Sequence, residues 1–225
     1  MDNWIDAARL TVIVGHFGSG KTEFAVNMAM ALADKGYPFA LADLDVVDPY
    51  FRSRECRGMI EERGGRLIAS SQMHVDADLP SMPPDVFALF DNPELYGILD
   101  IGGDPSGARV LARYRHDLQR CGARVLCVVN ANRPLSDTAE KAERYVRAIE
   151  QSSGLKIDGL INNTHCCQLT DVEDVVAGAK MAQEVSVLTG IPVVCHAVPL
   201  HLADRVSDLV YPVFPMQLYM KKPWE

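Results

Sequence analysis

The 225-residue sequence has no apolar run near the roughly 18 to 20 residues that a bilayer-spanning helix needs. Its first residues, Met1-Asp2-Asn3-Trp4-Ile5-Asp6, carry neither a basic start nor an apolar signal core. Both absences predict a cytoplasmic protein without membrane attachment. Basic residues are too few for a general nucleic-acid surface, since 22 Lys and Arg against 30 Asp and Glu leave a net charge of −8. The closest basic clusters, Arg52-Ser53-Arg54 with Arg57 and the stretch Arg109 to Arg120, read as solvated helical faces. The six cysteines, Cys56, Cys121, Cys127, Cys166, Cys167 and Cys195, never take C-x-x-C spacing, which excludes the commonest zinc and redox motifs and suits reduced thiols. Cys166-Cys167 beside His165 is the one group to test as a metal or redox site. Loop or core thiols are the simpler reading, because adjacent cysteines make a poor local chelate. With no short-period repeat or low-complexity segment, the length suits a single domain over residues 1–225.

What the sequence does carry is Val12-Ile13-Val14-Gly15-His16-Phe17-Gly18-Ser19-Gly20-Lys21-Thr22, an apolar strand, a glycine-rich turn and a helix start. Gly15, Gly20, Lys21 and Thr22 fit G-x-x-x-x-G-K-[ST]. In that motif the backbone N–H groups of the loop, here Gly15, His16, Phe17, Gly18, Ser19 and Gly20, wrap phosphates, and the following helix adds its positive dipole end. The spacing assigns Lys21 to the outer phosphates and the Thr22 hydroxyl to Mg²⁺. Glu23 to Leu32 continues with helical periodicity, the context the motif requires.

Around this stretch the chain alternates strands and helices. A strand is expected at Leu10–Val14, then the loop's helix to about Lys35, stopped by Gly36. Phe39–Ala42 is a second buried strand that delivers Asp43, Asp45 and Asp48 at its carboxyl end, the rim where open parallel sheets bind ligands. Residues 50–96 are less regular: a helix over Arg52–Arg63, a short strand over Arg66–Ser70, and a connector with three prolines between Asp78 and Pro84 form an elaboration within the domain. The strand Tyr96–Ile101 ends in an acidic, glycine-rich loop and a helix follows over Ser106–Arg120. Strands at 124–129, 157–161 and 193–197 then alternate with helices at 136–151, 171–188 and 200–209. The pattern predicts an α/β fold with a mostly parallel sheet sandwiched by helices. The tail, with Pro212, Pro215 and Pro223, reads as irregular packing or an assembly segment.

Mg²⁺ held with a nucleotide keeps several waters and takes few protein ligands, so the cradle needs acidic side chains aimed at the metal's water shell. Asp100 ends an apolar strand and is the first candidate, and Gly102-Gly103 would let the backbone approach a terminal phosphate. Asp43 and Asp45, two apart on an extended segment, point the same way toward the metal or an attacking water. Asp45 is preferred over Asp43 for orienting or activating that water. Helix capping is the competing role for a turn aspartate, and Asp48-Pro49 fits it.

The phosphate loop, the D-x-D of Asp43 and Asp45, and the D-x-x-G-D of Asp100-Ile101-Gly102-Gly103-Asp104 together resemble the MinD/ParA/CobQ–CobB group of P-loop ATPases, which includes the nitrogenase iron protein. The resemblance spans nearly the whole chain. It implies ATP and Mg²⁺ as cofactors, switch I at the D-x-D, switch II at the D-x-x-G-D with Asp104 coupling the terminal phosphate to the backbone, and a homodimer closed by ATP. Many members carry a second lysine after the first loop glycine that acts across the dimer; this sequence has His16 there, and Arg52 or Arg54 could supply the charge instead. No cysteine follows Asp104, so nothing suggests a subunit-bridging iron–sulfur cluster.

The resemblance also implies adenine recognition by an asparagine amide at the end of a late strand, for which Asn162 is chosen from Asn162-Asn163-Thr164. The [NT]-K-x-D of a guanine site is missing, which favours ATP. The loop at Ala197-Val198-Pro199-Leu200 is expected to close over the base. The leading reading is an ATPase acting as a nucleotide-driven switch, with maturation or activation of a client metalloenzyme among the outputs that the family suggests. The alternatives are a kinase or ligase using ATP on a small metabolite, and a regulatory positioning or partitioning protein.

Overall fold

The apolar runs that precede each acidic or glycine-rich loop are strands of one sheet. A computed structural model describes residues 4–45, 56–69, 84–103 and 105–220, without the side chains of 105 and 106. The strands are β1 (Leu10–Gly15), β2 (Phe39–Leu44), β3 (Arg66–Ala69), β4 (Tyr96–Ile101), β5 (Arg124–Val129), β6 (Gly159–Asn162), β7 (Val193–Pro199) and β8 (Val213–Met216). They pair in the order β3-β2-β4-β1-β5-β6-β7-β8, each neighbouring pair parallel. The loop-bearing strand β1 is therefore central, and every carboxyl end opens on one rim.

Strand residues alternate sides, so each apolar run feeds two cores. Val12, Val14, Ala40, Ala42, Leu99, Ile101, Cys127 and Val129 pack on one face, with residues of α4 (Pro105–Arg113), α6 (Ala139–Ser153) and α7 (Val172–Thr189). Ile13, Leu41, Ile98, Leu126, Val128 and Ile161 pack on the other, against Phe24, Ala25 and Met28 of α1 (Lys21–Asp34) and Ile60 of α2 (Arg57–Glu62). This two-sided burial explains why the strands read as continuous hydrophobic stretches rather than as alternating ones.

Local chemistry fixes the helix ends. Thr138 caps α6 by accepting from the Lys141 N–H, and Asp171 with Asp174 forms a reciprocal capping box at the start of α7. Asn27 of α1 exchanges hydrogen bonds with the Gln217 backbone, donating at 2.9 Å and accepting at 2.8 Å. One turn earlier, Glu23 accepts the Tyr219 and Met220 N–H groups at 2.5 and 3.2 Å. The segment after β8 is thereby strapped to α1.

Four sequence expectations are corrected. The helix expected over 106–120 is two, α4 and α5 (Arg115–Arg120), because Tyr114 leaves helical geometry at φ −105° to bury its ring beside Phe87 and Phe90 of the α3 (Phe87–Asp91) region. The helix expected over 200–209 is a 3₁₀ stretch, Leu200–Val206. The tail read as irregular supplies β8; its Pro215 is exposed at the sheet edge, where a missing N–H costs no ladder bond, while Phe214 and Met216 point inward. The helix expected from 136 starts at Ala139, since the Ser136 hydroxyl is tied to the Asn130 carbonyl at 2.7 Å. Of the 50–96 elaboration, β3 extends the main sheet and α2 packs on the same core.

Candidate functional site

The β1–α1 loop folds back on itself, the Ser19 N–H donating to the His16 carbonyl at 3.0 Å. Gly15 adopts φ +147°, and a Cβ there would stand 2.4 Å from the Val128 carbonyl oxygen of β5, so the loop lies flush on the neighbouring strand end. Gly20 holds the N-cap of α1 with no side-chain cap, leaving the first N–H groups of the helix without a partner from that side chain. Opposite them sits Gly103, where a Cβ would come within 2.6 Å of Lys21 Nζ and 2.8 Å of the Phe17 nitrogen. Only glycine lets the β4–α4 loop approach this closely, and the Tyr145 hydroxyl of α6 donates to the Gly103 carbonyl to hold it there.

Lys21 is 5% exposed and enters a ring of negative charge. Asp43 and Asp100 are paired in register on β2 and β4, and Asp45 follows just past the end of β2; all three are buried. The Asp45 N–H donates to Asp43 Oδ1 at 3.3 Å. Both oxygens of Asp100 are buried without a hydrogen bond of normal geometry. Burial pushes the Asp100 carboxyl up to about 7; the Lys21 ammonium and Thr22 hydroxyl pull it back, while Asp43 and Asp45 add repulsion. Burying three carboxylates beside one lysine stabilises nothing by itself. Such a cluster fits a site completed by a cation and an anion.

The residues present fit both groups that the fold implies. Uncapped N–H groups and Lys21 would suit an anion, and Thr22 with the unsatisfied Asp100 carboxylate would suit a hydrated cation. Among the described residues no three His, Cys, Asp or Glu side chains converge as a chelating set, so the protein would offer few direct ligands.

The neighbouring loops act differently. Asn163 Nδ2, from the end of β6, donates to the Ser19 carbonyl at 2.8 Å, and Arg133 Nε, from the β5–α6 loop, donates to the Gly18 carbonyl at 2.7 Å. Asn162 is turned inward. Its Oδ1 accepts from the Thr164 hydroxyl and N–H at 2.8 and 3.1 Å, and its Nδ2 donates to His196 Nδ1 at 3.2 Å. That bond requires an unprotonated Nδ1, and burial pushes His196 down to about 4. His165 is likewise pushed down to about 4, by burial and then by the charge of Arg133.

The structure thus brings Gly15 to Thr22, Asp43, Asp45, Asp100 and Gly103 to one place on the rim. Asn162 lies beneath it, and Pro199 borders a separate cleft of about 480 Å³ with Cys167, Leu200 and Met216 to Leu218. Asp48, Arg52, Arg54 and Asp104 lie outside the described residues. His16 turns back on its own loop, with Nδ1 donating to the Phe17 carbonyl at 2.6 Å and its ring 5.0 Å from that of Tyr145. Arg133, Asn163 and Tyr145 are additions; the signal for the first two was their place just beyond strand ends β5 and β6. All six cysteines are free thiols.

No protein-family model matches the chain, and no curated protein matches it in sequence. Solved structures do match. They include the 54 kDa signal recognition particle protein of Aeropyrum pernix in complex with GDP (21% identity, TM-score 0.53, covering 82% of this chain and 40% of that one). Another is the cell division protein FtsY of Thermotoga maritima (20%, 0.51, 84% and 61%). A third is the chloroplast FtsY of Physcomitrella patens (17%, 0.54, 82% and 56%). At these identities the likeness concerns architecture, and the chain spans 40 to 61% of those structures' lengths. The fold is that of the P-loop NTPases.

Proposed function

We propose that the protein is a Mg²⁺-dependent ATPase of the MinD/ParA/CobQ kind that uses nucleotide turnover as a switch. The observation that carries this reading is the buried Lys21 set between the uncapped start of α1, the close-packed Gly103 and the carboxylates of Asp43, Asp45 and Asp100. ATP is preferred over GTP because Asn162-Asn163-Thr164-His165 carries no lysine or aspartate of the guanine motif. That preference stands against a structural neighbour solved with GDP, so nucleotide identity is the first thing to measure.

In this reading the loop N–H groups and Lys21 bind the outer phosphates and stabilise the charge that develops on the transferring phosphoryl. Thr22 and Asp100 would hold Mg²⁺, which when bound neutralises phosphate charge. Asp45, or Asp43 behind it, orients the attacking water. Gly103 offers its backbone to the terminal phosphate, so loss of that phosphate would release the β4–α4 loop and carry the signal outward, to a homodimer partner or a client metalloenzyme.

Competition of ATP and GTP for a fluorescent nucleotide, with and without Mg²⁺, tests the assignment. Lys21→Ala is expected to weaken Mg·ATP binding by at least 100-fold, about 3 kcal/mol, as for a buried charge-assisted contact. Parent-like binding by a folded Lys21→Ala protein would overturn the site, and a GTP preference would overturn the base assignment. Pull-downs in ATP and in ADP would identify a client.

A further inference from the structure

The motif loop lacks the second lysine that many members of the resembled group carry, and the His16 side chain in its place is folded onto the Phe17 carbonyl and the Tyr145 ring. A cation nevertheless reaches the loop from another element. Arg133 Nε donates to the Gly18 carbonyl, and the guanidinium lies close enough to Gly18 that an added Cβ there would stand 3.2 Å from Nε and 3.5 Å from Cζ. Neither terminal nitrogen of Arg133 has a hydrogen bond to a described residue. Its charge is felt locally, since it helps hold His165 neutral.

The arrangement is prebuilt. The Arg133 N–H donates to the Asn130 carbonyl at 3.3 Å, the Arg133 carbonyl accepts from Ser136 at 2.9 Å, and Asn130 Oδ1 accepts the Asn132 N–H at 2.9 Å. The loop that carries Arg133 is thus a closed turn, and little side-chain freedom is left to lose on binding. A peptide unit is planar, so fixing its carbonyl fixes the attached N–H in the opposite direction. Arg133 holds the Gly18–Ser19 peptide with its N–H toward the His16 carbonyl; Asn163 holds the next one, Ser19–Gly20, with its N–H aimed away from Asn163.

We propose that Arg133 is the second cation of the phosphate loop, a positioning residue supplied by the same chain that sets two consecutive loop peptides together with Asn163 and lends charge to the rim. This rests on the nucleotide-binding reading above. It places within one subunit a role that the resemblance would assign to a partner's lysine. The consequence is that Mg·ATP binds tightly to the monomer.

The test compares Arg133→Ala, Arg133→Gln and Arg133→Lys for Mg·ATP affinity, with oligomeric state checked by size at each protein concentration. Expected is a loss of about tenfold in the alanine variant, equal loss in the glutamine variant, and recovery of most of it in the lysine variant or on adding guanidinium ion to the alanine variant. Equal affinity in all four proteins would overturn the proposal. Recovery by glutamine as fully as by lysine would overturn the charge and leave only a hydrogen-bond donor to the Gly18 carbonyl. Amide hydrogen exchange in the unliganded proteins gives an independent reading: Ser19 and Gly20 should exchange faster in the alanine variant than in the parent, and unchanged protection would sink the clamp. Failure of the parent itself to bind Mg·ATP, or parent-like binding by Lys21→Ala, would instead strike the functional reading, with the exchange result still deciding the clamp.

Discussion

The rim of the sheet has two halves that handle buried polarity in opposite ways. At the ends of β1, β2 and β4, three carboxylates and a lysine are buried, and Asp100 has no hydrogen bond of normal geometry for either oxygen. At the end of β6 and in the middle of β7 beside it, Asn162, Thr164 and His196 are as deeply buried yet bonded to one another. The first half is costly unless something binds; in the second, Asn162, Thr164 and His196 satisfy one another, and only Asn130 Nδ2 and His165 Nε2 beside them are buried without a partner among the described residues. Unsatisfied burial therefore marks where chemistry is expected, and satisfied burial marks the frame that holds it.

After Lys21→Ala, the largest effect on binding should come from Asp100→Asn. Removing a buried carboxylate is expected to weaken Mg²⁺-dependent nucleotide binding by roughly 10- to 100-fold, about 1.5–3 kcal/mol, while raising the unfolding midpoint of the unliganded protein. The pH dependence follows in sign. The Asp100 carboxyl titrates near 7 in the fold against 3.8 ordinarily, so the native state keeps a proton that the unfolded chain releases. Unliganded stability should fall as pH rises from about 4 to about 7, and Asp100→Asn should flatten that fall in urea titrations. A variant less stable than the parent at pH 7 would break the contrast.

Next in size is Asn162→Ala. It strands the Thr164 N–H and hydroxyl, and the expected cost is about 2–3 kcal/mol of stability with ATP and GTP affinities unchanged relative to each other. A shift in nucleotide preference without loss of stability would show instead that Asn162 reads the base. The smallest effect belongs to Asn163→Ala, which removes one bond to the Ser19 carbonyl: about 1 kcal/mol, read as roughly fivefold weaker Mg·ATP binding at nearly parent stability. The two neighbouring asparagines thus separate frame from site.

Much of the first half was legible beforehand, because each part obeys a local rule. A glycine-rich turn between an apolar strand and a helix, and aspartates at strand ends, can be located from spacing alone, and Asp43, Asp100 and Lys21 do converge. The second half was not legible in this way. Whether Asn162 or Asn163 faces the loop depends on strand alternation at the last residue of β6, where a shift of one position reverses the answer. Arg133 reaches Gly18 across 115 residues, a contact that no spacing reveals. Helix breaks failed for a related reason: Tyr114 ends a helix to fill an aromatic pocket, and tertiary packing overrides a favourable local pattern. Strand β8 was hidden by Pro215, a residue type excluded from sheet interiors but permitted at an edge.

The strap from Glu23 and Asn27 to residues 217–220 joins positions as far as 197 apart in the chain. During synthesis the phosphate-binding helix emerges early, and its outer fastening arrives only after β8 has been made. Until residues 217–220 are made, a nascent chain would therefore display the nucleotide motif without the anchorage that steadies α1. Ribosome-bound chains cut before residue 217 should hold nucleotide more weakly than those that extend past residue 220.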